Sequence, residues 1–168
     1  MVGCFALGTR KLYDFIDDNL GVELHGGHVT NDPWTIGRNY KMVSLNTTLQ
    51  VDLTGQANSE TLGTRQYSGG GGALNTCMGA QMSPGGKSIL ALRATAKGGT
   101  VSTIVPCFKD GQSVTIPRAD IDYVVTEYGI AHLKSMNVRR RVESLIAIAH
   151  PDFREWLRSE AKTLQYIF

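Results

Sequence analysis

The sequence predicts an α/β domain in which a layered sheet is flanked by helices. Three observations predict it. Short runs rich in β-formers alternate with segments of helical periodicity along the chain. The 168 residues are enough for one domain with a proper core. The C-terminal part carries two amphipathic helical patterns separated by Pro151.

Taken in order, Leu12, Phe15 and Ile16 repeat at i, i+3 and i+4, with Thr9 placed to cap a short helix ending near Asn19-Leu20-Gly21. Val22-Glu23-Leu24 reads as a brief strand. Asn31-Asp32-Pro33 has cap-then-proline chemistry and opens another short helix. Met42 to Leu45 and Thr48 to Leu53 are strands that run into the Thr54-Gly55 turn. Ala73 to Ala80 starts a helix, and Ser83-Pro84-Gly85-Gly86 is a turn. Ser88 to Leu92, Val101 to Val105, Val114 to Ile116 and Asp120 to Thr126 read as strands. Val138, Val142, Leu145, Ile146 and Ala149 then share one helical face, as do Phe153, Trp156 and Leu157 after Pro151. No internal repeat or linker divides the chain, which reads as a single domain over 1–168.

Composition narrows the function classes. Hydrophobic residues make up 42% and charged residues 19%, the balance of a soluble globular protein. A net charge of +2 gives no electrostatic case for nucleic acid or a membrane surface, and no apolar run is long enough to span a bilayer. The first residues lack the basic start of a signal peptide, and Cys4, Cys77 and Cys107 show no paired spacing. The expectation is a cytoplasmic protein with reduced thiols.

The strongest chemical signal is Ser68-Gly69-Gly70-Gly71-Gly72-Ala73, four glycines directly before a helix start. Glycine lets backbone lie flush against a ligand, and helix N-terminal N–H groups favour negative charge. The spacing fits neither a P-loop nor a dinucleotide fingerprint. A flexible linker and an anion or oxyanion site both fit the loop itself; the apolar, structured flanks favour the second. Arg139-Arg140-Arg141 reads as a solvated helix face or a contact to a neighbouring domain. Asp120 and Asp122 share one strand face and read as strand-edge polar residues rather than acid/base groups. His25 and His28 lack further ligands for a metal; His132 and His150 read as packing or capping residues.

Several segments, in order, carry a resemblance: Phe5 to Phe15, Asn31-Asp32-Pro33, Val51-Asp52-Leu53-Thr54-Gly55-Gln56, Ser68 to Gly72, Gly85 to Ile89, Ile104-Val105-Pro106, Pro117 to Asp120, Tyr123 to Ala131 and Ile148 to Arg154. Together they resemble the C-terminal domain of the acetyl-CoA hydrolase / acetate- and 4-hydroxybutyrate-type CoA-transferase family. The segments Val124-Val125-Thr126-Glu127-Tyr128-Gly129 and Ala149-His150-Pro151 are the specific ones. The resemblance implies a fold of the NagB/RpiA/CoA-transferase type and a ping-pong reaction. In that reaction a glutamate attacks an acyl-CoA thioester, CoA then forms a glutamyl thioester, and a carboxylate or water completes the exchange.

In the family that glutamate lies upstream of the Ala-Leu-Gly-Thr segment, here Ala6 to Thr9. None of Glu23, Glu60, Glu127 or Glu143 matches it, so the resemblance implies a truncated chain without the N-terminal domain and without a catalytic residue. The implied substrate- and CoA-binding residues are Asn31, Gly70, Gly71, Gly72 and Lys97. Asn31 matches an oxyanion donor but equally suits a helix cap. Gly72 matches a glycine whose N–H completes that site. Lys97 matches a lysine near CoA, while without the family it reads as a solvated loop lysine. Ala73 and Asn75 replace the Gln and Asp usual after the glycines. The implied ligands are coenzyme A, as acyl-CoA substrate, and a small carboxylate; the implied partners are the N-terminal domain or a second copy. Three readings follow: half of a CoA-transferase or acetyl-CoA hydrolase, a non-catalytic CoA- or anion-binding module, and a vestigial fragment.

Overall fold

Four central strands form one sheet, Gly129–His132, Tyr123–Thr126, Lys87–Ala91 and Val43–Thr47 in spatial order, in a computed structural model that describes residues 1–168. The chain opens with β1 (Val2–Gly3), α1 (Arg10–Ile16) and β2 (Glu23–Leu24), then α2 (Gly27–Thr30), α3 (Pro33–Gly37) and β3 (Val43–Thr47). Next come β4 (Gln50–Asp52), β5 (Ala57–Asn58), β6 (Thr61–Leu62), β7 (Arg65–Gln66), α4 (Ala73–Met82) and β8 (Lys87–Ala91). The rest is β9 (Thr95–Ala96), β10 (Val101–Ser102), β11 (Ile104–Val105), β12 (Tyr123–Thr126), β13 (Gly129–His132), α5 (Val138–Ile148) and α6 (Pro151–Thr163).

β3, β8 and β12 run parallel, with Leu45 opposite Ile89 and Ile89 opposite Tyr123; β13 closes the sheet antiparallel. A parallel ladder needs crossovers, and α4 supplies the one from β3 to β8. α4 and α5 pack on the same face of the sheet. There they bury Leu90, Val124 and Ala131 with Cys77, Val142, Leu145 and Ile146. A second sheet, β11-β4-β5, contributes Val51, Ala57 and Ile104 to the same core.

The α/β class is as expected, with differences in detail. Val101 to Val105 divides into β10 and β11, which join different sheets, and the strand expected over Thr48 to Leu53 shortens to Gln50–Asp52. Val114 to Ile116 makes only an isolated bridge from Ile116 to Ala57. The strand expected from Asp120 begins at Tyr123, because Arg118–Asp120 forms a 3₁₀ turn. Asp122 is almost fully buried; it accepts from the Ser88 N–H at 3.0 Å and pairs with Lys134 at 3.2 Å, which is a structural role.

Arg141 departs from the expectation of a solvated basic face. Arg139 is exposed and pairs with Glu143, but Arg141 is buried. It donates to three carbonyls, those of Met136, Thr54 and Arg118, at 2.9–3.3 Å. Thr54 belongs to a turn built by Asp52, whose carboxylate accepts from the Thr54 N–H, the Thr54 hydroxyl and both Gln56 nitrogens. Gly55 closes that turn at φ +91°, a region disfavoured for any residue with a Cβ.

The thiols divide by burial. Cys77 lies against Ser44 and Asn46 in the core, and burial pushes its pKa up, whereas Cys4 and Cys107 are exposed. In the native protein, titration with a thiol reagent is expected to give two fast equivalents, the third appearing only on unfolding. Three fast equivalents would show that the α4–β3 contact opens freely.

Candidate functional site

The glycine loop sits where parallel strands end. α4 runs back from the carboxyl ends of β3 and β8, so its first turn lies at the sheet edge where open α/β sheets bind ligands. A polar cluster fixes this turn. The Asn46 amide donates to the Thr76 hydroxyl at 3.0 Å, the Ser44 hydroxyl lies 3.1 Å from the same oxygen, and Thr76 donates to the Ala73 carbonyl. Upstream, the Glu60 carbonyl accepts from the Tyr67 and Ser68 N–H groups, and the Ser68 hydroxyl donates to Ser59.

Gly71 takes φ +55°, which turns the chain into the helix, and Gly72 is the N-cap. No side chain caps α4. Within the chain, the N–H groups of Gly72, Ala73, Leu74 and Asn75 have no acceptor. They are the orphan donors of a helix start, carrying its partial positive charge.

Asn31 lies directly against this turn. A Cβ on Gly72 would come within 2.7 Å of Asn31 Nδ2 and 2.8 Å of its Cγ. The cap of α3 is not Asn31 but Asp32, whose carboxylate accepts from the Thr35 N–H at 2.8 Å and from its hydroxyl at 2.6 Å. Those bonds hold the Asp32 carboxyl below its usual range, the Thr35 hydroxyl first. The Asn31 carboxamide makes no hydrogen bond within the chain and is half-buried beside the free N–H groups.

Gly70 and Gly71 lie on the open side of the loop. Space is clear around a Cβ built at Gly71, while one at Gly70 meets the Glu60 carboxyl at 3.6 Å. Glu60, which sequence reasoning set aside, accepts from the Thr115 hydroxyl at 2.8 Å and so stays beside the loop. Only Gly70's place in the fold, after a gap of ten residues, brings the two together.

Lys97 lines a separate cavity of about 970 Å³ at the carboxyl ends of β8 and β12, with Thr47, Arg93, Thr126 and Glu127 among its walls. Lys97, Gly98 and Gly99 all have positive φ, and Thr100 donates to the Lys97 carbonyl to close the turn. The Lys97 ammonium has no carboxylate partner. Glu127 accepts from the Ala94 N–H at 2.9 Å, which anchors the strand entering this turn and lowers the Glu127 pKa. Asn31 and Gly72 are thus brought into contact, while Lys97 and the unforeseen Arg93 serve a neighbouring cavity on the same sheet edge. Arg93 carried no sequence signal beyond its charge.

The family pattern described as acetyl-CoA hydrolase/transferase C-terminal domain matches residues 8–161. The chain belongs to this family. It is 49% identical over 162 residues to the 4-hydroxybutyrate coenzyme A transferase of Clostridium kluyveri, covering 96% of this chain and 38% of that enzyme. The butyryl-CoA:acetate CoA-transferase of Anaerostipes caccae is 43% identical, over 96% of this chain and 37% of its own length. Among solved structures, RipA from Yersinia pestis superposes at a TM-score of 0.93 with 42% identity, over 99% of this chain and 37% of that one. The family member therefore spans about two-fifths of the length of these relatives, and its fold is that of their CoA-transferase C-terminal domains.

Proposed function

We propose that the chain is the C-terminal part of an acyl-CoA:carboxylate CoA-transferase or acetyl-CoA hydrolase, contributing the thioester-binding glycine loop. One observation carries this reading: the unpaired Asn31 carboxamide converges with the unpaired N–H groups of Gly72 to Asn75. Donors fixed before the reaction stabilise negative charge that develops on a thioester oxygen, without reorganising when it forms. Asn31 Nδ2 and the Gly72 N–H would hold that oxygen, and Gly70 and Gly71 leave room for the acyl group. Lys97 and Arg93, neither held in an ion pair, suit the phosphates of coenzyme A. The Glu60 carboxylate, held by Thr115, stays at the loop's flank and disfavours a free anion where a neutral thioester would lie.

The attacking carboxylate comes from the N-terminal domain of the longer protein, so the chain alone turns over little or nothing. Calorimetric titration with acetyl-CoA tests the site. Gly72→Val should weaken binding by at least ~10-fold, since its side chain displaces Asn31 from the loop. The thermal midpoint should stay close to the parent's, because Gly72 has an ordinary negative φ. Undiminished affinity in this variant would remove the glycine loop from the site.

A further inference from the structure

The turn that ends α6 helps to wall a cavity remote from the glycine loop. The Tyr166 N–H bonds to the Ala161 carbonyl and the Gln165 N–H to the Lys162 carbonyl, the Schellman closure of a helix. Gln165 holds φ +56° there, at a position glycine ordinarily fills. The closure sets Gln165 and Tyr166 against Thr54, Gln56, Arg118 and Val138 around an open cavity of about 510 Å³. Arg118 belongs to the turn that precedes β12, so the cavity lies toward the amino end of that strand. The glycine loop and Lys97 lie at the carboxyl ends of the sheet.

The walls carry an unbalanced positive charge. Arg118 is exposed and takes part in no ion pair. Next to it, the buried Arg141 donates from Nη1 to the Arg118 and Thr54 carbonyls and from Nε to Met136, which leaves its Nη2 without an acceptor. One carboxylate, Asp52, stands close by, and four donors of Thr54 and Gln56 enclose it. Two guanidiniums thus face one carboxylate, and Arg118, Gln165 and Tyr166 are the walls left to meet a ligand. Burial first, and Asp52 second, raise the Tyr166 pKa, so its hydroxyl keeps the proton it would donate. α5 adds to the positive end. Val138 is its first residue, and the N–H groups of Val138 and Arg139 have no acceptor in the chain, because Asn137 caps Arg140 instead.

We infer that this cavity binds a small oxyanion, a carboxylate or a phosphate, between the Arg118 guanidinium and the first turn of α5. The guanidinium presents two parallel N–H donors that match two oxygens of either group. The Gln165 amide and the Tyr166 hydroxyl would meet the remaining lone pairs, and Val138 offers an apolar wall to the carbon of an organic anion. The bound charge would offset the repulsion between Arg118 and Arg141 and tie the Arg118 turn, α5 and the end of α6 together. An anion here acts as a stabilising effector at a second site. The inference goes beyond the proposed function and needs neither coenzyme A nor the transfer reaction.

Titration of the full chain with inorganic phosphate and, separately, with acetate, at constant ionic strength and followed by NMR, tests the site and separates the two chemistries. Saturable shifts should appear at the Val138 and Arg139 amides and at the Gln165 side chain with whichever anion binds. Arg118→Gln should weaken that binding at least ~10-fold. Arg139→Gln, which removes an exposed charge paired with Glu143, should bind like the parent. A thermal readout separates ligand contact from a merely structural role. The anion at about tenfold its Kd should raise the parent's midpoint by about 3 °C. Arg118→Gln should lose that rise, while its anion-free midpoint stays at or above the parent's because Arg141 is relieved of a like charge. The comparison also subtracts the general stabilisation that phosphate gives any folded protein. Shifts confined to the Gly72 to Asn75 amides or to the Lys97 turn would place the anion at the candidate functional site and overturn the inference. So would the absence of saturable shifts with both anions, or an equal loss in Arg118→Gln and Arg139→Gln, which would reveal a diffuse charge effect.

Discussion

Gly86→Ala is expected to cost about 3 kcal/mol or more of stability, since a Cβ there makes a closer contact than at any other glycine of the chain. Gly86 ends the turn that passes from α4 into β8, and its ideal Cβ would overlap the Ala80 carbonyl oxygen. It would also lie 2.8 Å from the Met42 carbonyl and 2.9 Å from the Ser83 Cβ. These neighbours are mostly backbone, so no rotamer change relieves the clash. Moving Met42 breaks its bond from the Lys87 N–H, the first rung between β8 and β3; moving Gly86 breaks its own bond to the Ser83 carbonyl. Urea unfolding followed by far-UV circular dichroism measures the loss. A midpoint within experimental error of the parent's would show that the α4–β8 turn is looser than described. Gly85 is the control: it holds φ +72°, but its nearest contact is the flexible Lys41 side chain at 3.4 Å, so Gly85→Asn should be mild.

Arg141→Met should be nearly as damaging, at about 2–4 kcal/mol. The substitution keeps much of the volume and removes the guanidinium. Three carbonyls, on Met136, Thr54 and Arg118, then lose a charged donor inside the protein. No carboxylate pairs with Arg141, and burial with the nearby Arg118 charge lowers its pKa. The arginine is thus held by carbonyls alone, and its contribution is to join the Thr54-Gly55 turn, the Arg118 turn and α5. Arg139→Met, which removes only an exposed pair with Glu143, should change stability by less than ~1 kcal/mol. Equal effects of the two variants would refute the distinction drawn between them.

Much of the fold was legible because helical periodicity and turn chemistry are local. α5 and α6 lie where their apolar faces and Pro151 place them, and α4 begins directly after the glycines. What was not legible depended on distant neighbours. The alternation Val43-Ser44-Leu45-Asn46 marks a strand but suggests that valine and leucine face inward. In the structure Ser44 and Asn46 face α4, because Thr76 and Cys77 give them partners, and the apolar residues face out. The three arginines in a row look alike on paper; only the placement of Thr54 and Arg118 selects Arg141 for burial. The candidate site divides the same way. The glycine loop announces itself, but two adjacent Asx residues, Asn31 and Asp32, compete for one cap. The Thr35 geometry decides for Asp32 and leaves Asn31 free.

The close crossing of α3 and α4 has a consequence for how Asn31 and Gly72 keep their spacing. A methyl on Gly79 would strike Ile36, with its Cβ only 2.6 Å away, so the helices touch backbone to side chain. That crossing lies two turns along α4 from the loop, and it behaves as the fulcrum of a pair of tongs whose tips are Asn31 and Gly72. Bulk inserted at the fulcrum would part the tips without altering either of them, so a residue far from the proposed site would set its width.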